Sequence, residues 1–215
     1  MSSAIDLKET FETLHETVVK VSDDNDVMEL VILLMSHYSG SAQKLAIVAI
    51  NYILPSFQII VDRPIVNANN FRTSFSYILD CIKSFLTMQE EKALILKSYD
   101  VTHLLLSLSK HERLFDDNEI MKKLEDIVKA VFYSKGVLNP SGEQFVKFLL
   151  VHQRHDFNKL GIFSLYCIAL GLQDKESERN FRIFHDDQVL NTLVLFAKDK
   201  SRSSAMSNNT MQKMV

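Results

Sequence analysis

Apolar residues recur in this chain at a spacing of 44. Val101, Phe145 and Val189 each lie one interval apart, and the segments they open, VTHLLL, FVKFLL and VLNTLV, share one pattern. The same interval separates Met121 from Leu165, Leu124 from Ile168 and Val128 from Leu172. At twice the interval, Ile95 pairs with Ile183, Leu105 with Leu193 and Leu108 with Phe196. A period in the low forties, with about three helices per interval, describes an array of helical units. Each unit buries one stripe within itself and leaves a second apolar face for its neighbour to cover.

Composition agrees with helices. The 215 residues hold only 5 Gly and 3 Pro, whereas antiparallel β folds use both at their turns. Apolar residues make up 47% and charged residues 24%, ordinary values for a globular chain with a core. A net charge of -3, from 24 basic and 27 acidic residues, supplies no electrostatic footprint for nucleic acid. It does not suggest an anionic membrane surface either. Cys81 and Cys167 sit inside apolar helical patterns and read as buried, reduced thiols of an intracellular protein.

The opening segment MSSAIDLKETFETL lacks the basic start and apolar run of a signal peptide. The stretch VMELVILLMSHYSGSAQKLAIVAINYIL, from Val27 to Leu54, is greasy but broken at Ser39-Gly40-Ser41. Neither half reaches the roughly 20 apolar residues of a membrane span. It reads as two helices buried on both sides, the first carrying Leu30, Val31, Leu33 and Leu34 and ending before Gly40. Ser41 caps the second, and Pro55 closes it.

The remaining pattern predicts a first helix over 3–21 with a stripe of Ile5, Phe11, Leu14, Val18 and Val19. FQIIVDRPIV, from Phe57, is either a short helix or an extended piece. Helices follow over 71–88, 90–96, 100–110, 117–133, 142–152, 158–170, 177–184 and 187–198. Residues 199–215 are rich in Ser and Asn and are expected to be disordered.

EEKALILKSYDVTHLLLSLSKH, from Glu90, resembles the first two helices of an armadillo repeat. ESERNFRIFHDDQVLNTLVLFAKD, from Glu176, and the opening stretch are similar to further pieces of such repeats. The resemblance to the armadillo/HEAT-like family implies an all-α, right-handed superhelical solenoid of about four units over 27–198. Residues 1–26 would then form a capping helix and loop. It also implies protein–protein binding, with Lys83 and Lys129 on concave-face helices and Asn51, Tyr52 and Tyr166 near the same groove. The chain departs from the family by lacking its repeated third-helix asparagine and the glycine usual before the second helix.

Seven histidines invite a search for chemistry. His103, His111, His152, His155 and the pair His185-Asp186 are the types that an all-helical metal-dependent phosphohydrolase uses to hold a metal and its activated water. Against this, Ser98-Tyr99-Asp100 fills the slot of His185-Asp186-Asp187, which makes the latter an interhelix turn with Asp186 or Asp187 capping the last helix. No nucleophile elbow, P-loop or dinucleotide fingerprint occurs. The expectation is therefore a non-enzymatic adaptor, scaffold or regulatory subunit without cofactor, metal or nucleic acid. It would be cytoplasmic or nuclear, bind a protein or peptide, and leave self-association open. The rivals are the phosphohydrolase and a membrane-trafficking superhelix that reads sorting peptides.

Overall fold

The computed structural model describes residues 2–20, 25–42, 46–63, 68–87, 89–133, 139–152, 154–171 and 182–198. Among them every regular element is helical and no strand occurs. The expected tail over 199–215 and most of the helix expected over 177–184 lie outside these residues. The chain divides into two units, Met1–Ser134 and Lys135–Val215.

The first unit begins with α1 (Ser2–Lys20), whose Phe11 and Val18 are fully buried while Val19 faces solvent. In α2 (Asn25–Ala42), Met28, Val31, Ile32 and Met35 are buried. This helix runs through Ser39-Gly40-Ser41, where a stop was expected. A helical glycine costs only about 1 kcal/mol, less than a face of four buried side chains contributes.

The next segment corrects a second expectation. Ala46–Val48 (α3), a π turn over Ala49–Ile53 and Leu54–Val61 (α4) form one uninterrupted helical path, so Pro55 does not close a helix. Proline lacks an N–H, and its ring would strike the carbonyl four residues back. The wider π turn directly before it, in which Leu54 N–H reaches the Ala49 carbonyl, removes that conflict. The ambiguous run from Phe57 is therefore helical as far as Val61.

In α5 (Ala68–Thr87), Phe75, Ile78, Leu79, Ile82, Phe85 and Leu86 are all buried, as their spacing predicts. Then come α6 (Gln89–Ser98), α7 (Val101–Ser109), a 3₁₀ turn over Glu112–Asp116 that buries Leu114 and Phe115, and α8 (Asn118–Phe132). The carboxylate of Asp100 accepts from His103 N–H to start α7. That of Asp117 accepts from the N–H groups of Glu119 and Ile120 to start α8.

Contacts within this unit follow the interval seen in the sequence. Hydrogen bonds join His15 to Ser56, Arg63 to Val18, Tyr99 to Leu54, Gln58 to Ser107 and His111 to Val61, across 41 to 50 residues. Along each seam the partner numbers rise together. Residues 54, 58 and 61 meet 99, 107 and 111, and residues 72, 80 and 83 meet 117, 123 and 126. The partnered helices are therefore parallel, which requires intervening helices to return the chain. One row is α1, α4 and α7; a second is α2, α5 and α8; and α3 with the π turn packs on α6. The aligned positions Phe57 and Val101, and Val61 and Leu105, are buried in both members of each pair.

The second unit contains α9 (Pro140–Val151), α10 (His155–Gly171) and a final helix, α11 (187–198). Asn139 caps α9 through Gly142 N–H at 2.7 Å, and Pro140 occupies the first turn, where its missing donor is harmless. The helix thus starts two residues before the predicted Gly142. At its other end the Asn158 side-chain amide donates to the carbonyls of Leu149, Leu150 and His152. That satisfies carbonyls which the helix terminus leaves open. The two helices approach closely at Gly161, where a Cβ would lie 2.8 Å from Leu150 Cγ. Phe145 and Val189, the aligned members of the 44-residue series in this unit, are fully buried. Cys81 and Cys167 are buried in their respective units and form no disulfide, and burial pushes the Cys167 thiol up.

Candidate interaction surface

The α5/α8 seam carries a ladder of ion pairs. Arg72 pairs with Asp117; Lys123 reaches Asp80 at 2.7 Å, Ser76 at 2.7 Å and Glu119 at 3.2 Å; and Lys83 meets Asp126 at 2.6 Å. Parallel packing positions them, because Arg72, Asp80 and Lys83 along α5 meet Asp117, Lys123 and Asp126 in the same order at the start of and along α8. The guanidinium of Arg72 and then the Glu119 N–H hold the Asp117 carboxyl below its usual range. Burial works against the charge on Lys123, but its bonds to Asp80 and Glu119 outweigh that and raise its pKa. A shallow groove of 390 Å³ runs over this ladder, lined by Thr73, Tyr77 and Ile120 between the charges.

The residues predicted for partner binding fall at separate places. Lys83 and Lys129 lie on the packed helices α5 and α8. Lys83 is held by Asp126, and Lys129, one turn further along α8, pairs with Glu125. Partly exposed ion pairs of this kind contribute about 0–1 kcal/mol each. Asn51 is exposed on the π turn. Tyr52, beside it, is half-buried with its ring 6.2 Å from that of His15. Its carbonyl accepts from the Ser56 hydroxyl at 2.6 Å. Because that hydroxyl proton is committed, His15 Nδ1 donates to Ser56 Oγ at 2.8 Å. Tyr166 lies in the second unit, on α10, and is 61% exposed.

The opening stretch is not buried on both sides. Leu30, Leu33 and Ile47 stand exposed, as do Leu190, Val194 and Leu195 on α11 in the other unit. A 680 Å³ groove between α2 and α5 is lined by Asp26, Glu29, Leu30, Leu33, Thr73, Ser74 and Tyr77.

His111, His152 and His155 have other engagements. In the first unit His103 is exposed on α7, while His111 Nε2 bonds the Val61 carbonyl at 2.9 Å with its ring against Phe71 and Phe75. In the second, His152 packs edge-on to Phe157 and accepts from Arg154 N–H, and His155 stacks on Phe196. Asp186 accepts from the N–H groups of Gln188 and Val189, capping α11, and pairs with Lys147 at 2.8 Å. In neither unit, among the described residues, are three His, Cys, Asp or Glu side chains grouped to hold a metal ion. Among the same residues no helix is long and apolar enough to cross a membrane.

The α5/α8 ladder was not foreseen from sequence, although its signal was present. Arg72 and Asp117, Asp80 and Lys123, and Lys83 and Asp126 are opposite charges about one repeat interval apart. No protein-family model matches the chain, and no curated protein or solved structure matches it.

Proposed function

We propose that the chain is a non-enzymatic protein-interaction module, an adaptor, scaffold or regulatory subunit, built as an armadillo/HEAT-like α-solenoid. The observation that carries this reading is the pair of parallel helix rows in the first unit. Parallel neighbours about 45 residues apart, three helices per interval, are what stacked repeats of that length produce. Recurrence of buried residues at positions 145 and 189 of the second unit extends the same register.

Such stacks bury their interiors and present long faces of side chains without a deep cavity, a geometry suited to extended partners rather than to enclosed chemistry. The engaged histidines support the same reading. Asp186 is accounted for as a cap and ion-pair partner, the role that the repeat assigns to its slot. Asn51, Tyr52, Lys83, Lys129 and Tyr166 are the proposed partner-contacting residues, and a cytoplasmic or nuclear location goes with that role.

Elemental analysis of the purified full chain separates this reading from metal-dependent phosphate hydrolysis. The module reading expects only trace metal. Stoichiometric metal that survives gel filtration would overturn it.

A further inference from the structure

In the second unit, α11 carries an uncovered apolar face whose counterpart on α9 is covered. Val146 and Leu150 of α9 are buried, and a Cβ at Gly161 would lie 2.8 Å from Leu150 Cγ, so α10 covers this side of α9 at Leu150. The start of α10 sits beside the end of α9, where Asn158 bonds the Leu149 and His152 carbonyls. From there α10 packs along α9, which makes the pair antiparallel. One repeat interval later, Leu190 and Val194 stand on α11 where Val146 and Leu150 stand on α9, yet they are 44% and 50% exposed. Leu195, beside them, is 62% exposed. The register therefore suits α11 to an antiparallel helix, and none follows it among the described residues.

The chain's own last segment is a poor complement. Residues 199–215 lie one interval beyond α10 and would take its place. Where α10 buries Phe157, Leu160, Leu165 and Ile168, they carry Ser201, Ser204, Asn209 and Gln212. Setting such groups on Leu190 and Val194 would bury polar atoms without partners.

A second α11 is a better match. Leu190 and Leu195 are equidistant from the midpoint of the helix, and every exposed position in one half mirrors an exposed position in the other. A face with that symmetry is complementary to itself across a two-fold axis. Antiparallel pairing sets Leu190 of each copy against Leu195 of the other, in the direction that α10 takes on α9. We infer that the chain self-associates through α11, paired antiparallel with α11 of a second copy. The inference rests on the repeat register behind the solenoid reading above, not on partner binding. A helix over 187–198 is about 18 Å long, too short to bury what a stable dimer buries, so the association is weak and reversible.

Sedimentation equilibrium of the full chain over a wide concentration range tests this. The expected result is a monomer–dimer equilibrium at micromolar concentrations. Leu190→Lys and Leu195→Glu should each weaken it about tenfold or more. Mixed in equal amounts, these two variants should associate with each other more tightly than either does with itself, because the substituted positions then face one another and the leucines still meet across the axis. Misfolding cannot produce that gain.

A monomer at every concentration, or a dimer indifferent to both substitutions, would overturn the assignment and leave the module reading standing. So would a monomer in which Leu190→Lys speeds hydrogen exchange over 199–215, because the last segment would then be the occupant. A stoichiometric protein captured by the wild-type chain and lost in Leu190→Lys, with the purified chain monomeric, would give the face to that protein instead.

Discussion

The phenol of Tyr99 donates a 2.9 Å hydrogen bond to the carbonyl of Leu54, tying the turn before α7 to the start of α4 one repeat interval earlier. Burial, and then the negative charges of Asp100 and Asp62, push this phenol above the usual tyrosine range. Replacing it with phenylalanine should cost about 1 kcal/mol.

The pH dependence of that cost has a definite sign. The folded chain favours the neutral phenol, so its contribution is complete below the unfolded tyrosine pKa of about 10 and is lost as pH rises beyond it. Denaturant titrations of wild type and Tyr99→Phe should therefore converge in alkali. A gap that stays constant well above pH 10 would contradict the assignment.

Asp186 gives the opposite sign. The Lys147 ammonium, followed by the Val189 N–H, holds its carboxyl below the usual range, so its contribution is present at neutral pH and fades as pH falls through its folded value. Asp186→Ala should destabilise by about 1 kcal/mol at neutral pH, the usual worth of a cap. Asp186→Asn, which keeps the cap and loses the charge, should cost less. Both differences should shrink on acidification, as thermal melts across a pH series would show.

Gly161→Ala should reverse the usual helix rule. Alanine normally stabilises a helix interior by about 1 kcal/mol relative to glycine. Here the added methyl group would lie 2.8 Å from Leu150 Cγ and 3.0 Å from Leu150 N, forcing α9 and α10 apart. Chemical denaturation should show a loss of about 1–3 kcal/mol, in the range of overpacked cores. A gain would mean that the helices are not in this contact.

The α5/α8 register can be read from charge reversal. Lys83→Glu places like charges together at Asp126, and Asp126→Lys in the same chain restores an opposite pair. A double-mutant cycle should give a coupling of about 0.5 kcal/mol that fades with added salt. Zero coupling at low salt would place these helices in another register.

The fold was legible wherever a residue's neighbours were set by periodicity alone. The α5 stripe from Phe75 to Leu86 is buried throughout, and Asp100 and Asp186 cap helices in the slots that the repeat predicted for interhelix turns. Expectations failed where two local signals competed. Gly40 and Pro55 read as stops, yet α2 continues past the first, and the π turn at Ala49–Ile53 accommodates the second. Such a turn depends on what the following helix buries, which spacing does not reveal. The surface was harder to read than the core. Leu30 and Leu33 are apolar like buried Val31 and Ile32, and the packing of α1 and α5 against α2 decides which pair is covered. Lys83 was singled out by its position, but its partner Asp126 becomes apparent only once the two helices are known to be parallel.

Affinity purification of the full chain from its native cell, with recovered proteins quantified by mass spectrometry, tests the central claim most directly. A protein-interaction module predicts at least one partner recovered in near-stoichiometric amount and retained through washing. Recovery of the chain alone, as a monomer with background proteins only, would contradict it.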